Sequence, residues 1–128
     1  MTIARSGRHS SKDDNMGNCV FCGIASGDVE ANIIAESDEW LAFRDLSPTA
    51  PCHVLVIPKR HVQSMEDLRE SDRDLLGELM LACQTVACAE GLEGGYRIVT
   101  NTGEDGGQAI LHLHFHVLGG RQMEWPPG

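Results

Sequence analysis

Basic side chains are in short supply in this sequence: ten Lys and Arg stand against 19 Asp and Glu, a formal net charge of −9. Nucleic-acid binding is driven by neutralising phosphates, so this balance argues against a nucleic acid as partner. It also means that an anionic small molecule must be held by local groups, not gathered by the field of the whole protein. Long apolar runs are missing too. No stretch approaches the roughly 18–20 residues that a membrane span needs, so no membrane partner is expected. Residues 1–17, MTIARSGRHSSKDDNMG, lack the apolar stretch of a secretion signal and read as a polar, disordered tail, with one folded domain over 18–128. Aromatics are few (three Phe, two Trp, one Tyr) and 41% of the chain is hydrophobic, which fits one modest core. The five cysteines are an odd number. Without a secretion signal they read as reduced thiols of a cytoplasmic protein, not as a disulfide framework.

What is present starts with NCVFCGIASGDVEA, a short helical turn ending near Gly27. NIIAESDEWLAFRDL reads as two short strands about Ser37-Asp38-Glu39. SPTAP is a Pro-punctuated loop, and CHVLVIPK, rich in Val and Ile, is a largely buried strand. From Ser71 to Glu90 the period becomes helical. Ser71-x-x-Asp74 resembles a capping box, and Leu75, Leu76, Leu79, Met80, Cys83, Val86 and Ala87 recur on one face. Gly91 and Gly94-Gly95 end that helix. GYRIVTN is a fourth strand, TGEDGGQA a loop and ILHLHFHVLG a fifth strand. Strands, one long helix and strands again make an α+β domain with a five-stranded, mainly antiparallel sheet and a short N-terminal helix. The closing GRQMEWPPG cannot continue a strand through Pro126-Pro127 and is expected to lie across a surface.

The chemistry concentrates in HLHFHV, residues 112–117. On a strand, His112, His114 and His116 form a row roughly 6.5–7 Å apart, with Leu113, Phe115 and Val117 facing the core. Imidazole acts as base, nucleophile or metal ligand near neutral pH. Two uses compete: a three-histidine zinc centre with an open position, or nucleophilic attack by one ring while its neighbours orient and protonate. Cys19-x-x-Cys22 has the spacing of a soft metal pair. His61, just after the third strand, and one end of the histidine row would complete a Cys₂His₂ zinc site.

Together these stretches resemble the histidine triad (HIT) superfamily of nucleotide hydrolases and transferases, through His112-Leu113-His114-Phe115-His116-Val117-Leu118, and the resemblance runs from about Cys19 to Gly128. LAFRDLSPTAPCHVLVIPKRH, NTGEDGGQA and HVLGGRQMEWPPG are similar to its Hint branch, the purine nucleoside phosphoramidases. The resemblance implies a homodimer with a sheet continuous across both subunits. It implies that His114 attacks the α-phosphorus of a purine nucleotide substrate, forming a nucleotidyl-histidine that water resolves to the nucleoside monophosphate. Cys19, Cys22, His61 and His112 would hold one structural zinc per subunit. Asp45 would bind the ribose diol, and Phe21, Ile24, Val29, Phe43 and Leu46 the base. The phosphate would meet His53, His116, Asn101 and converging backbone N–H groups of the loop Gly106-Gly107-Gln108-Ala109. Trp125 lies in a segment that reaches the partner's active site in Hint proteins. One departure matters: Ala109 stands where many Hint proteins have a serine that helps protonate the leaving amine. The expected function is therefore hydrolysis of the P–N bond of purine nucleoside 5′-phosphoramidates, with adenosine 5′-monophosphoramidate and aminoacyl adenylates as candidate substrates. The competing expectations are a nucleotide-binding regulatory or scaffold dimer with residual turnover, and a metallohydrolase with catalytic zinc on the triad.

Overall fold

The computed structural model describes residues 18–128; the expected tail, 1–17, lies outside the described residues. Helix α1 spans Val20–Ser26, β1 Ile33–Glu36, β2 Trp40–Arg44, β3 Cys52–Pro58, helix α2 Arg73–Ala89, β4 Tyr96–Val99 and β5 Phe115–Gly119. Two 3₁₀ turns, Met65–Asp67 and Glu70–Asp72, lead into α2. The strands form one sheet in the order β1-β2-β3-β5-β4, every pair antiparallel. This is the α+β architecture that the sequence pattern implies.

β3 is the centre, and all seven of its residues are buried, which explains its unbroken apolar run. Alternation splits the sheet into two faces. Val54, Val56, Phe115 and Val117 pack against Leu79, Ala82, Cys83 and Val86 of α2. Leu41, Phe43, Leu55 and Ile57 take the opposite face, where Phe21 and Ile24 of α1 cover them. His53 lies two residues before Leu55 on β3, and His116 pairs with Leu55 across β3 and β5, so both imidazoles share this second face.

Three details differ from expectation. Ser71 and Asp74 form no capping box; Asp72 is the N-cap of α2, and its Oδ2 accepts from the Arg69 amide at 2.9 Å, because a 3₁₀ turn occupies the helix entry. Asp72 is also paired with Arg60. Met80 is exposed on α2, and Ala82 takes its place on the buried face. Finally, β5 begins at Phe115 and not near Ile110, so His112 and His114 precede the strand. Before Phe115 irregular bonds replace the ladder: the Leu113 amide donates to Val62 O at 2.6 Å, and the Thr100 hydroxyl donates to His114 O at 2.8 Å. The other end of α2 follows its glycine: Gly91, at φ 74°, donates to Cys88 O, and Leu92 donates to Ala87 O, closing the helix in a Schellman arrangement.

Candidate functional site

Three imidazoles meet on the α1 side of the sheet. The His114 and His116 ring centroids are 5.0 Å apart, and those of His53 and His116 are 5.1 Å apart. His112 does not continue the row. Its ring turns toward His61, 4.9 Å away, because the backbone leaves the strand before Phe115.

Hydrogen bonds assign the protons. His114 Nδ1 lies 2.7 Å from the carbonyl oxygen of His112, an obligate acceptor, so Nδ1 carries the hydrogen and Nε2 keeps a free lone pair. His53 is the reverse. The Thr49 amide donates to His53 Nδ1 at 3.1 Å, so the hydrogen sits on Nε2, which donates to His116 Nδ1 at 2.9 Å. That leaves the remaining hydrogen of neutral His116 on Nε2. Burial pushes all three rings below the ordinary imidazole value, His116 to about 4, where His114 and His53 also disfavour its charge and Asp45 favours it. At pH 7 the cluster is therefore uncharged. It offers one nucleophilic nitrogen at His114 and one N–H donor at His116.

Beside the histidines lies a cleft of about 220 Å³, walled by Phe21, Ile24, Phe43, Leu55, Ala31 and Ile110 with Asp45 and Leu46 among its lining. Phe21 meets Phe43 edge-to-face at 5.4 Å and His114 at 5.2 Å, so the apolar cleft abuts the His114 ring. Asp45 follows β2. Its Oδ1 accepts from the Ser47 amide at 2.7 Å, and its Oδ2 is 3.5 Å from His53 Nε2, so it ties the rim of the cleft to the histidine cluster. Of the five apolar residues assigned to a base pocket, Phe21, Ile24, Phe43 and Leu46 line the cleft and Val29 does not. Val29 turns back on α1, where a Cβ on Gly23 would meet its Cγ2 at 2.6 Å. Glu30 and Ala31 stand nearby instead.

The loop 101–109 differs more. Gly107 N donates to Glu104 O and Gln108 N to Gly103 O, both at 3.0 Å. These two amides close the loop's own turn and are not directed at a phosphate. Gln108 is a brace: its Nε2 donates to Gln63 O and Ile110 O, and its Oε1 accepts from Gly103 N. Asn101 Nδ2 likewise donates to Gly106 O at 2.7 Å. Ala109 follows this braced turn and, with Cys19, Val20, Ile110 and Leu111, lines a separate hollow of about 290 Å³. At the far end of the chain Trp125 is largely exposed, and the preceding carbonyl of Glu124 accepts from Arg97 at 2.8 Å.

The four donors expected to hold zinc come together. Cys19 Sγ, Cys22 Sγ, His61 Nδ1 and His112 Nδ1 all lie within 4.8 Å of one another. Sulfur-to-nitrogen distances are 3.3 Å for Cys19–His112, 3.2 Å for Cys22–His61 and 3.6 Å for Cys22–His112. Tetrahedral zinc with ordinary Zn–S and Zn–N bonds has edges of about 3.5 Å, so the set fits that ion. His112 Nε2 donates to Pro58 O at 2.9 Å, which leaves Nδ1 unprotonated as a ligand must be. The hydrogen bond with Cys22 pulls the Cys19 thiol well below its usual value against the opposing effect of burial, the direction that favours a metal-binding sulfur. The residues fit a structural metal: all four positions are filled by protein donors, and no side is left for a substrate. Asp45, His53 and His116 also cluster closely enough to meet at one ion. The Thr49 amide, however, fixes the His53 hydrogen on the nitrogen that would have to ligate, so this trio is a hydrogen-bond relay.

Several participants escaped the sequence reading. Thr49 and Pro58 act through backbone groups, which no side-chain pattern advertises, and Leu55 and Ile110 look like ordinary core residues. Thr100, directly after β4, carried a signal: a hydroxyl at a strand end is placed to replace a lost ladder bond.

Comparison with known proteins identifies the family and agrees with the fold. Residues 26–123 match the model of the HIT domain family. An uncharacterised HIT-like protein of Synechococcus elongatus is 47% identical over 109 residues, 85% of this chain and 96% of its own length. The crystal structure of a HIT family hydrolase from Legionella pneumophila superposes with a TM-score of 0.85 at 48% identity, covering 87% of this chain and all of that one. A histidine triad protein from Clostridium difficile gives a TM-score of 0.81 at 38% identity, covering 84% of this chain and 94% of that one. This chain belongs to the HIT domain family.

Proposed function

We propose that the protein is a nucleotide hydrolase that cleaves the P–N bond of purine nucleoside 5′-phosphoramidates through a covalent intermediate on His114. The observation that carries this reading is the opposed protonation of two neighbouring rings: His114 presents a bare Nε2, and His116 an N–H, beside an apolar cleft rimmed by a carboxylate. The cleft suits a purine, and Asp45 suits the two hydroxyls of a ribose.

In the first step the Nε2 lone pair of His114 forms a bond to the α-phosphorus while the P–N bond to the leaving amine breaks. The attacking ring becomes cationic, and its Nδ1–H bond to the His112 carbonyl strengthens as that charge develops. His116 Nε2–H donates to a phosphoryl oxygen, held in position by the Thr49–His53–His116 relay. Ala109 supplies no hydroxyl, so the departing amine takes its proton from water or another histidine. In the second step water attacks phosphorus and releases a proton to solvent, the P–N bond to His114 breaks with its electron pair returning to Nε2, and the nucleoside monophosphate and neutral His114 result. Zinc on Cys19, Cys22, His61 and His112 would supply cross-linking, tying α1 to the segments after β3 and before β5. The same reading includes a homodimer, for which β4, an edge strand of the sheet, offers unpaired backbone groups.

The test is intact-protein mass spectrometry after brief mixing with adenosine 5′-monophosphoramidate and an acid quench. An adenylyl adduct that maps to His114 is the expected result. Tight AMP binding with neither adduct nor turnover would replace this reading with that of a nucleotide-binding regulatory module.

A further inference from the structure

Phe21 sits between the two cysteines of the metal cluster, in Cys19-Val20-Phe21-Cys22, and its ring belongs to the other site. It is 4% exposed, forms a wall of the 220 Å³ cleft, and meets Phe43 at 5.4 Å, His114 at 5.2 Å and His112 at 5.9 Å. We infer that Phe21 couples the two sites: metal on Cys19, Cys22, His61 and His112 fixes this ring as the wall of the cleft, so that metal and nucleotide bind with positive cooperativity. The inference rests on the nucleotide-hydrolase reading and on the cluster being a metal site.

The coupling follows from how unequally the four donors are anchored. His61 comes just after β3 and His112 just before β5, and His112 is braced a second time by Pro58 O. Cys22 lies in α1, a helix of seven residues, and Cys19 is its N-cap. A helix that short has no stability of its own, since nucleation is costly and few bonds repay it. It is held by burial of Phe21 and Ile24 and by what Cys19 and Cys22 bind. Without metal the histidine half of the site, next to β3 and β5, stays in place, while α1 gains freedom and carries the Phe21 wall with it. His114 keeps its own bond to the His112 carbonyl, so the attacking nitrogen stays aimed. The effect therefore falls on nucleotide affinity and not on the chemical step. Linkage makes it reciprocal: whatever factor metal contributes to nucleotide binding, nucleotide contributes to metal binding.

The experiment uses the full chain with zinc content measured at one ion per chain, and its chelated form at a temperature where far-ultraviolet circular dichroism is unchanged. AMP affinity is measured by calorimetry on both forms, and zinc affinity against a competing chelator with and without saturating AMP. The expected result is AMP binding roughly tenfold weaker without zinc, and zinc binding tighter by the same factor with AMP. Phe21→Leu, and Phe21→Met should the first not fold, should keep one zinc per chain while bringing both factors close to one. If wild-type protein binds zinc and AMP independently, or if the coupling survives at full size in the Phe21 variants, the inference is overturned while the hydrolase reading stands. If the protein takes up no zinc or binds no AMP, the reading beneath it fails, and the inference fails with it.

Discussion

His114 and His116 stand two residues apart with their rings in contact, yet they hold their hydrogens on opposite nitrogens, and the cause lies in one bond each. The His112 carbonyl fixes the first, and the relay from the Thr49 amide through His53 fixes the second. His114→Asn keeps a polar side chain but removes the proposed nucleophile. It should abolish the adenylyl adduct and lower turnover by on the order of 10³-fold, as expected for losing a covalent pathway, while AMP binding measured by calorimetry stays within about threefold of wild type, roughly 0.6 kcal/mol. The lowered imidazole values set the pH dependence. Protonation removes the lone pair of His114, and burial pushes that protonation below the ordinary value of 6.5. The acid limb of kcat/KM should therefore fall below pH 6.5 with a plateau above 7; a midpoint above 7 would contradict the neutral cluster. Stability has the same sign. His116 is depressed to about 4, so its contribution is intact above 6.5 and is lost as pH falls from there through about 4, which a series of thermal melts would follow. Ala109→Ser should raise turnover of alkylamine phosphoramidates, by at most about 10²-fold, more than that of substrates with good leaving groups. Equal effects on both classes would remove that role from position 109. At this scale the alternate histidines and the clustered Cys and His donors were legible because side-chain type and spacing advertise them, whereas Asp45 was reached only through the family resemblance. Thr49 and Pro58 were not, because their contributions come from backbone atoms that every residue possesses.

At the scale of elements, the sequence shows where a period begins but not where a partner strand stops. HLHFHV alternates as a strand would, yet β5 starts at Phe115, because β4 ends at Val99 and Thr100 meets His114 with its hydroxyl. The break is useful: it releases His112 from the row and turns it to His61 and the cysteines. In the same way, the helical period of α2 was plain, whereas its start was misplaced because Asp72, not Ser71, meets the preceding turn. Glycine at 91 marked the opposite end correctly, since the left-handed residue and the Schellman bonds are local. The element with least support of its own is α1, and this is where metal matters. Zinc bound at the proposed site would cross-link α1 to the segments after β3 and before β5 and so contribute directly to folding. Chelation is expected to lower the melting temperature by several degrees or more, since roughly 1 kcal/mol corresponds to about 4–8 °C in a domain near this size. Turnover at saturating substrate and ambient temperature should change little. Cys19→Ser/Cys22→Ser should reproduce the pattern. Chelation that stops turnover with the melting temperature unmoved would make the metal catalytic and the structural assignment wrong.

At the scale of the whole molecule, two features bear on association: the net charge of −9 and the exposed tail that carries Trp125. The proposed homodimer brings two acidic chains together, so long-range repulsion opposes it. Salt screens that repulsion, with a Debye length of about 10 Å at 0.1 M. Association measured by sedimentation should therefore strengthen as salt rises from low ionic strength, the opposite of what charge-driven pairing gives. Trp125 reports on where the tail goes. At 81% exposure it is an unusual position for so large an apolar surface, and burial against a second subunit would remove that surface from water. The chain has two tryptophans, and the other, Trp40, is partly buried and packs on the core. In a Trp40→Phe background, emission reads Trp125 alone. If the tail reaches the partner, that emission should shift to the blue across the concentration range where sedimentation shows dimer forming. Trp125→Ala should then raise KM for substrates with bulky amines more than it alters AMP affinity, because the tail would meet the leaving group and not the base. Emission that stays solvent-like while a dimer sediments would leave the dimer standing and take the tail out of the partner's site. A chain that sediments at 13.9 kDa at every salt and concentration would remove the dimer itself.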